Sequence, residues 1–319
     1  MPRGLWTQSI AILTRGTPSF DALRTLLAPS DPQERTGTAT GWLGSERSLL
    51  LPYRTDVNGV IEVDVIERPW PDGMGDPEAD PDLFGAWSMG AFGPGAFPDN
   101  LARAVQQCMP CPDEAASAAS EHGAFIRARI SYVYGAGEDA QMLPDDHDPV
   151  GEVALLAELG AALLDLDGAL AYFAPGGEVV LDRASLLESL RWAREESLPP
   201  LDAFSNIRLF QIGEAPGWAL MDTVGMDALF LPDIEACVPA SQDLDEVANW
   251  LRNMQLYLLE NGAAVEPGLV IAGPGGRWRC VEASSDGLIE PPRNTFRWAP
   301  ADIELPDVFL GPPPEEAEG

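Results

Sequence analysis

Residues 124–134 (AFIRARISYVY) constrain the fold more than any other segment. Ala124, Ile126, Ala128, Ile130, Tyr132 and Tyr134 alternate with Arg127, Arg129 and Ser131, the period of a β-strand with two distinct faces. Two arginines on one strand face call for carboxylates on neighbouring strands. The chain has acids in excess: 51 Asp+Glu against 19 Lys+Arg, a formal net charge of −32.

That composition excludes several chemistries. Every basic residue is an arginine, so a phosphate-binding loop, a protein kinase, a pyridoxal enzyme and an SxxK serine enzyme each lack the lysine they require. Two histidines, His122 and His147, cannot make a three-histidine zinc site, and no HExxH occurs. Nucleic acid and anionic membrane surfaces would repel so acidic a chain, whereas a basic protein would be attracted. Residues 1–16 lack the pattern of a secretory signal. The apolar run 153–173 carries Glu158, Asp165 and Asp167, too many charges for a membrane span. A cytoplasmic location is expected, with reduced thiols for the four cysteines.

Along the chain, apolar strands are expected at residues 9–13, 48–53 and 60–66, with a helix opened by Ser19 between the first two. In the 60–66 strand Ile61, Val63 and Val65 share a face while Glu62 and Asp64 point away. Between residues 67 and 100 periodicity disappears into a loop dense in Pro, Gly and Trp, long enough to need its own packing or a function. The acidic, Pro-bounded stretch 135–149 reads as a domain connection. A helix over 153–166, a hairpin over 169–181 and a helix capped by Asp182 follow. Strands are then expected near 207–212 and 218–221, a helix over 244–260, and two late strands flanking a glycine turn. The pattern predicts an α+β protein of two subdomains, residues 1–140 and 150–300, each a mainly antiparallel sheet packed by helices. Residues 311–319 are expected to form a disordered tail.

Several motifs carry residue types suited to chemistry. Cys108-Met-Pro-Cys111 has CxxC spacing, but a redox pair opens a helix; this one is expected to follow a helix and to precede Pro112, and reads as incidental. Residues 144–149 (PDDHDP) group cation-ligand types, yet adjacent residues of an extended loop do not converge on one ion, and acids before a helix suit its positive end. Asp76, Glu78, Asp80 and Asp82 imitate a calcium loop that fails at Pro81 and Trp87. No catalytic residue, metal or cofactor is assigned. The remaining cluster is Arg68, Trp70, Asp72, Trp87 and Phe92, aromatics among charges, which reads either as partner-binding anchors or as the loop's own small core.

The run MDTVGMDALFLPDIEACVP and the helix ending YLLENG, within residues 218–268, resemble the bacterial domain of unknown function 4261. Asp222, Thr223 and Gly225, then Leu231, Pro232, Asp233 and Glu235, carry its pattern. Upstream, VIERPWPDGMGDPE and AYFAPGGEVV look like the leader region of longer members. The resemblance implies no established activity, catalytic residue or cofactor; the family's frequent place near secretion and toxin genes implies an immunity or accessory role. The expectation is a non-enzymatic protein that binds a basic partner, a toxin or secretion component. A hydrolase using paired carboxylates around Asp222, Asp233 and Glu235 is the alternative.

Overall fold

Arg127 and Arg129 find their carboxylates on the adjacent strand. In the computed structural model, which describes residues 5–37, 41–137 and 140–310, Arg127 stands opposite Asp64 and Arg129 opposite Glu62 in an antiparallel ladder. Glu62 and Asp64 therefore point away from the aliphatic face, as their alternation requires, but into a second buried layer and not into water.

This ladder lies in the first of two units, Met1–Asn206. Its elements are β1 (Gln8–Thr14), α1 (Phe20–Leu27), β2 (Gln33–Thr36), β3 (Arg47–Pro52), β4 (Val60–Ile66), α2 (Pro81–Ser88), α3 (Asn100–Gln106), α4 (Pro112–Glu121), β5 (Ala124–Ser131), α5 (Pro149–Leu163), β6 (Ala169–Ala174), β7 (Val179–Leu181), α6 (Arg183–Glu196) and α7 (Leu201–Phe204). The sheet order is β2-β3-β4-β5-β1-β6-β7, antiparallel throughout. Helix α5 covers the face carrying Ile10, Ile12 and Tyr172. Segment 67–100 covers the other, which explains its length: it closes the arginine side of the sheet. Gly93 (φ +111°) lets this segment approach, since a Cβ there would meet the Ser9 Cβ at 2.5 Å.

The expected boundary at 140–150 moves to 206/207. β6 pairs with β1 through Ala11↔Phe173 and Ile12↔Tyr172, so residues 149–206 complete the first sheet instead of opening a new one. Ser19, Asp148 and Asp182 cap α1, α5 and α6 by accepting backbone N–H groups.

The second unit, Ile207–Gly319, holds β8 (Asn206–Gln211, its first residue closing the first unit), β9 (Trp218–Val224), β10 (Asp233–Pro239), α8 (Leu244–Asn261), β11 (Val270–Gly273), β12 (Gly276–Ser284) and β13 (Thr295–Pro300). The order is β11-β12-β13-β10-β9-β8; β10 and β13 run parallel, while β11–β12, β12–β13 and β10–β9 pair antiparallel. On one face α8 sets Trp250 against Trp278 (5.0 Å between ring centroids) and Trp298 (5.8 Å). The other face holds Leu220, Cys237 and Ala299 under Leu288, Ile289 and Phe309. Two antiparallel-dominated sheets packed by helices make the chain α+β. Among the described residues no helix is long and apolar enough to cross a membrane. The tail expected at 311–319 lies outside the described residues.

Candidate functional site

In the second unit a row of charge crosses the sheet. Asp222 on β9 stands opposite Glu235 on β10, Glu235 opposite Arg297 on β13, and Arg297 opposite Glu282 on β12. Arg208 on β8 completes the row by gripping both Asp222 oxygens, Nε to Oδ1 at 2.9 Å and a terminal nitrogen to Oδ2 at 2.6 Å. Two carboxylates meet side by side at the centre, so each needs its own cation. Asp222 takes Arg208 and also Arg293; Glu235 takes Arg297 Nε at 2.8 Å and the Leu288 N–H at 2.6 Å. Arg297 also donates to Glu282 and to the Phe309 carbonyl.

The other motif residues sit at one end of this row. Asp233 Oδ1 accepts from the Thr223 hydroxyl (2.8 Å) and Met226 N–H, while Oδ2 accepts from Gly225 N–H (3.3 Å). Gly225 has φ +127°, a conformation open to glycine, which turns the chain so that successive amides face the carboxylate. Arg293 Nε lies 3.5 Å from Asp233 and donates to the Thr223 carbonyl. Burial nevertheless pushes the Asp233 carboxyl up to about 6. Pro232, half-buried, leads the chain into β10. The structure thus gathers Asp222, Thr223, Gly225, Asp233 and Glu235 into one network and adds Arg208, Arg293 and Arg297, which sequence reasoning did not single out. For Arg208 and Arg297 the signal is an arginine placed in an apolar strand of an acidic chain; Arg293, in the Pro-rich segment before β13, carries no such mark.

A carboxylate hydrolase needs two such acids facing a common opening. Asp222, Asp233 and Glu235 are instead at most 1% exposed and held by guanidinium, hydroxyl and amide donors. What this arrangement does is fasten segment 286–293 and the Phe309 turn to the sheet.

The aromatic cluster of the first unit turns inward. Trp70, Trp87 and Phe92 are 5%, 7% and 0% exposed, and Trp70 packs edge-on to Phe125 and Phe173 at 5.1 and 5.0 Å. Of the two readings, partner anchors or the loop's own core, the burial of these rings fits the second: they roof the arginine face of the sheet. The Trp70 indole N–H donates to Asn100 Oδ1 at 3.0 Å, and Asp72 accepts from the Leu101 N–H at 2.9 Å. His122 is a clamp for the same loop: its Nε2 accepts the Trp70 N–H at 2.9 Å, which leaves Nδ1 to donate to the Ala119 carbonyl. Arg68 alone of the five is exposed, lying over Trp42 at the edge of a cleft of about 450 Å³ lined by Phe20, Glu46, Arg47 and Glu67.

The segment 144–149 behaves as linker and cap. Arg54 holds Asp146, Asp148 caps α5, and His147 Nε2 stands 3.2 Å from Glu152, which also accepts the Tyr132 hydroxyl at 2.6 Å. Among the described residues no three His, Cys, Asp or Glu side chains are arranged to hold a metal ion.

No curated protein and no solved structure matches the chain. Residues 222–299, the span that contributes Asp222, Asp233, Glu235, Glu282, Arg293 and Arg297 to the charge row, match the family model of the Domain of unknown function (DUF4261).

Proposed function

We propose that the protein binds a basic protein partner in the cytoplasm and acts through that contact, in an immunity or secretion-accessory role against a toxin or secretion component. The supporting observation is where the charges sit. Arg127, Arg129, Arg208, Arg293 and Arg297 are buried among interior carboxylates, and surface arginines such as Arg15, Arg54, Arg183 and Arg277 are already bridged to acids. Few cations remain to offset a formal charge of −32 at the surface. Asp76, Glu78, Asp80 and Asp82 are exposed on one segment, close in sequence to Met89, which is 63% exposed. A field of this sign steers a basic partner into encounter, and an exposed methionine adds an adaptable apolar contact.

The test is the association rate with the partner recovered from the native host, measured as sodium chloride rises from 0.05 to 0.5 M. Screening then shortens to a few ångströms, and the rate should fall about tenfold or more. An acidic protein of similar size should not bind. A rate indifferent to salt counts decisively against the reading.

A further inference from the structure

The pair Cys108 and Cys111 lies elsewhere in the first unit and has a geometry that its sequence position conceals. Cys111 does not merely follow a helix: it is the N-cap residue of α4, with Pro112 at the first helical position, where its fixed φ suits the turn. The two sulfurs are 3.6 Å apart, and both cysteines are free thiols. The Cys108 sulfur lies 3.3 Å from the Val180 carbonyl, and the Cys111 sulfur accepts the Asp182 N–H at 3.4 Å. Cys111 therefore sits at the positive end of its own helix with the Asp182 N–H aimed at its sulfur, both of which favour a thiolate. The residues are 7% and 4% exposed, beneath a turn whose Met109 is 80% exposed.

We propose that Cys108 and Cys111 form a reversible dithiol–disulfide site that passes two electrons to a disulfide-bearing oxidant. Closing it requires the sulfurs to approach to about 2.05 Å, a shift that side-chain rotation supplies. Cys111 is the attacking sulfur. The hydrogen bond from Cys108 brings its thiol down to about 7 and pushes that of Cys108 up, whereas burial pushes Cys280 up to about 11. The Cys111 thiolate attacks one sulfur of R–S–S–R, that bond breaks, and one R–S⁻ leaves a mixed disulfide behind. Cys108 gives its proton to the departing thiolate and attacks the Cys111 sulfur. The second R–S⁻ leaves and takes a proton from solvent. One disulfide is consumed, one is formed, and two R–SH are released.

The experiment equilibrates the 319-residue chain with oxidised and reduced glutathione, then traps thiols by alkylation and digests with trypsin. Residues 104–127 form one tryptic peptide carrying both cysteines. It should lose two hydrogens under oxidised glutathione and regain them under reduced, while Cys237 and Cys280 are trapped as thiols. Alkylation of Cys111 at pH 7 should outpace that of Cys280 about 100-fold, its larger thiolate fraction outweighing its lower intrinsic nucleophilicity. Cys108→Ala should halt at a stable glutathione adduct on Cys111, and Cys111→Ser should abolish both the bond and the fast alkylation. The wild-type peptide map alone decides the matter if a variant does not fold. A peptide that stays dithiol in excess oxidant, a persistent glutathione adduct in the wild type, or Cys111 alkylating no faster than Cys280 overturns the proposal.

Discussion

Thr223 and Asp233 lock the end of β9 to the start of β10. The Thr223 hydroxyl donates to Asp233 Oδ1 at 2.8 Å while accepting the Ile234 N–H at 3.0 Å, so one small side chain serves the carboxylate and the backbone together. The carboxylate also orders the turn at Gly225 and Met226.

The raised Asp233 carboxyl gives stability a defined pH dependence. Folded, it holds its proton up to about pH 6; unfolded, it releases it near pH 4. Its contribution is fully present below the unfolded value and is lost as pH rises through 6, a difference of about 3 kcal/mol at most. Burial raises Asp72 in the same direction. Urea melts of the wild type should shift to higher midpoints as pH falls from 7 to 5, and Asp233→Asn should shift less. Below pH 4 the trend should reverse, because the Arg127 and Arg129 charges outweigh burial and hold Asp64 below the usual carboxylate range. Parallel pH profiles for wild type and variant would refute the assignment.

Arg127 and Asp64 are each fully buried, and their two parallel bonds measure 3.1 and 2.7 Å. Arg127→Met should cost about 3–5 kcal/mol by leaving Asp64 without its main partner. Adding Asp64→Leu should restore part of that. The Trp42 carbonyl, which Arg127 also serves at 3.0 Å, would stay unpaired, whereas the Ala91 carbonyl keeps its bond from Arg129. A double-mutant cycle by chemical denaturation checks this, and additive losses would contradict it.

If Trp70 is core and not anchor, its variants should change stability before they change binding. Trp70→Ala should cost about 3–5 kcal/mol. Trp70→Phe should cost about 1–3 kcal/mol by orphaning Asn100 Oδ1. Partner affinity of the still-folded Trp70→Phe protein should match the wild type; a large loss with stability unchanged would restore the ring as an anchor.

Gly225→Ala should destabilise by about 1–3 kcal/mol through its φ of +127°, since the amide bond to Asp233 needs no side chain. Thermal unfolding measures this, and a neutral outcome would show that the turn relaxes at no cost.

Much of the first unit is readable from local signals. Ser19, Asp148 and Asp182 announce their helices through oxygens placed before an apolar run, and the alternation at 124–131 identifies β5 and the need for carboxylates. The elements that resist reading are those whose partners are distant. All residues of β10 and β13 are buried, and Asp233, Glu235 and Arg297 interrupt any apolar period because each is neutralised across the sheet by a residue tens of positions away. α4 hides for another reason: Pro112 reads as a stop, though Pro at the first position followed by Asp113 and Glu114 is a helix start. The division falls at 206/207 and not within 140–150 because 135–149, though it looks like a linker, leads into α5, which returns to cover β1.

The family match opens inside β9 and closes inside β13, yet Arg208 on β8 and the Phe309 carbonyl both serve the charge row from beyond those limits. A polypeptide trimmed to residues 222–299 would strand Asp222 without the guanidinium that clasps both its oxygens and leave Arg297 short of an acceptor. A piece that keeps the charge row intact must start at β8 and run through the turn at Phe309.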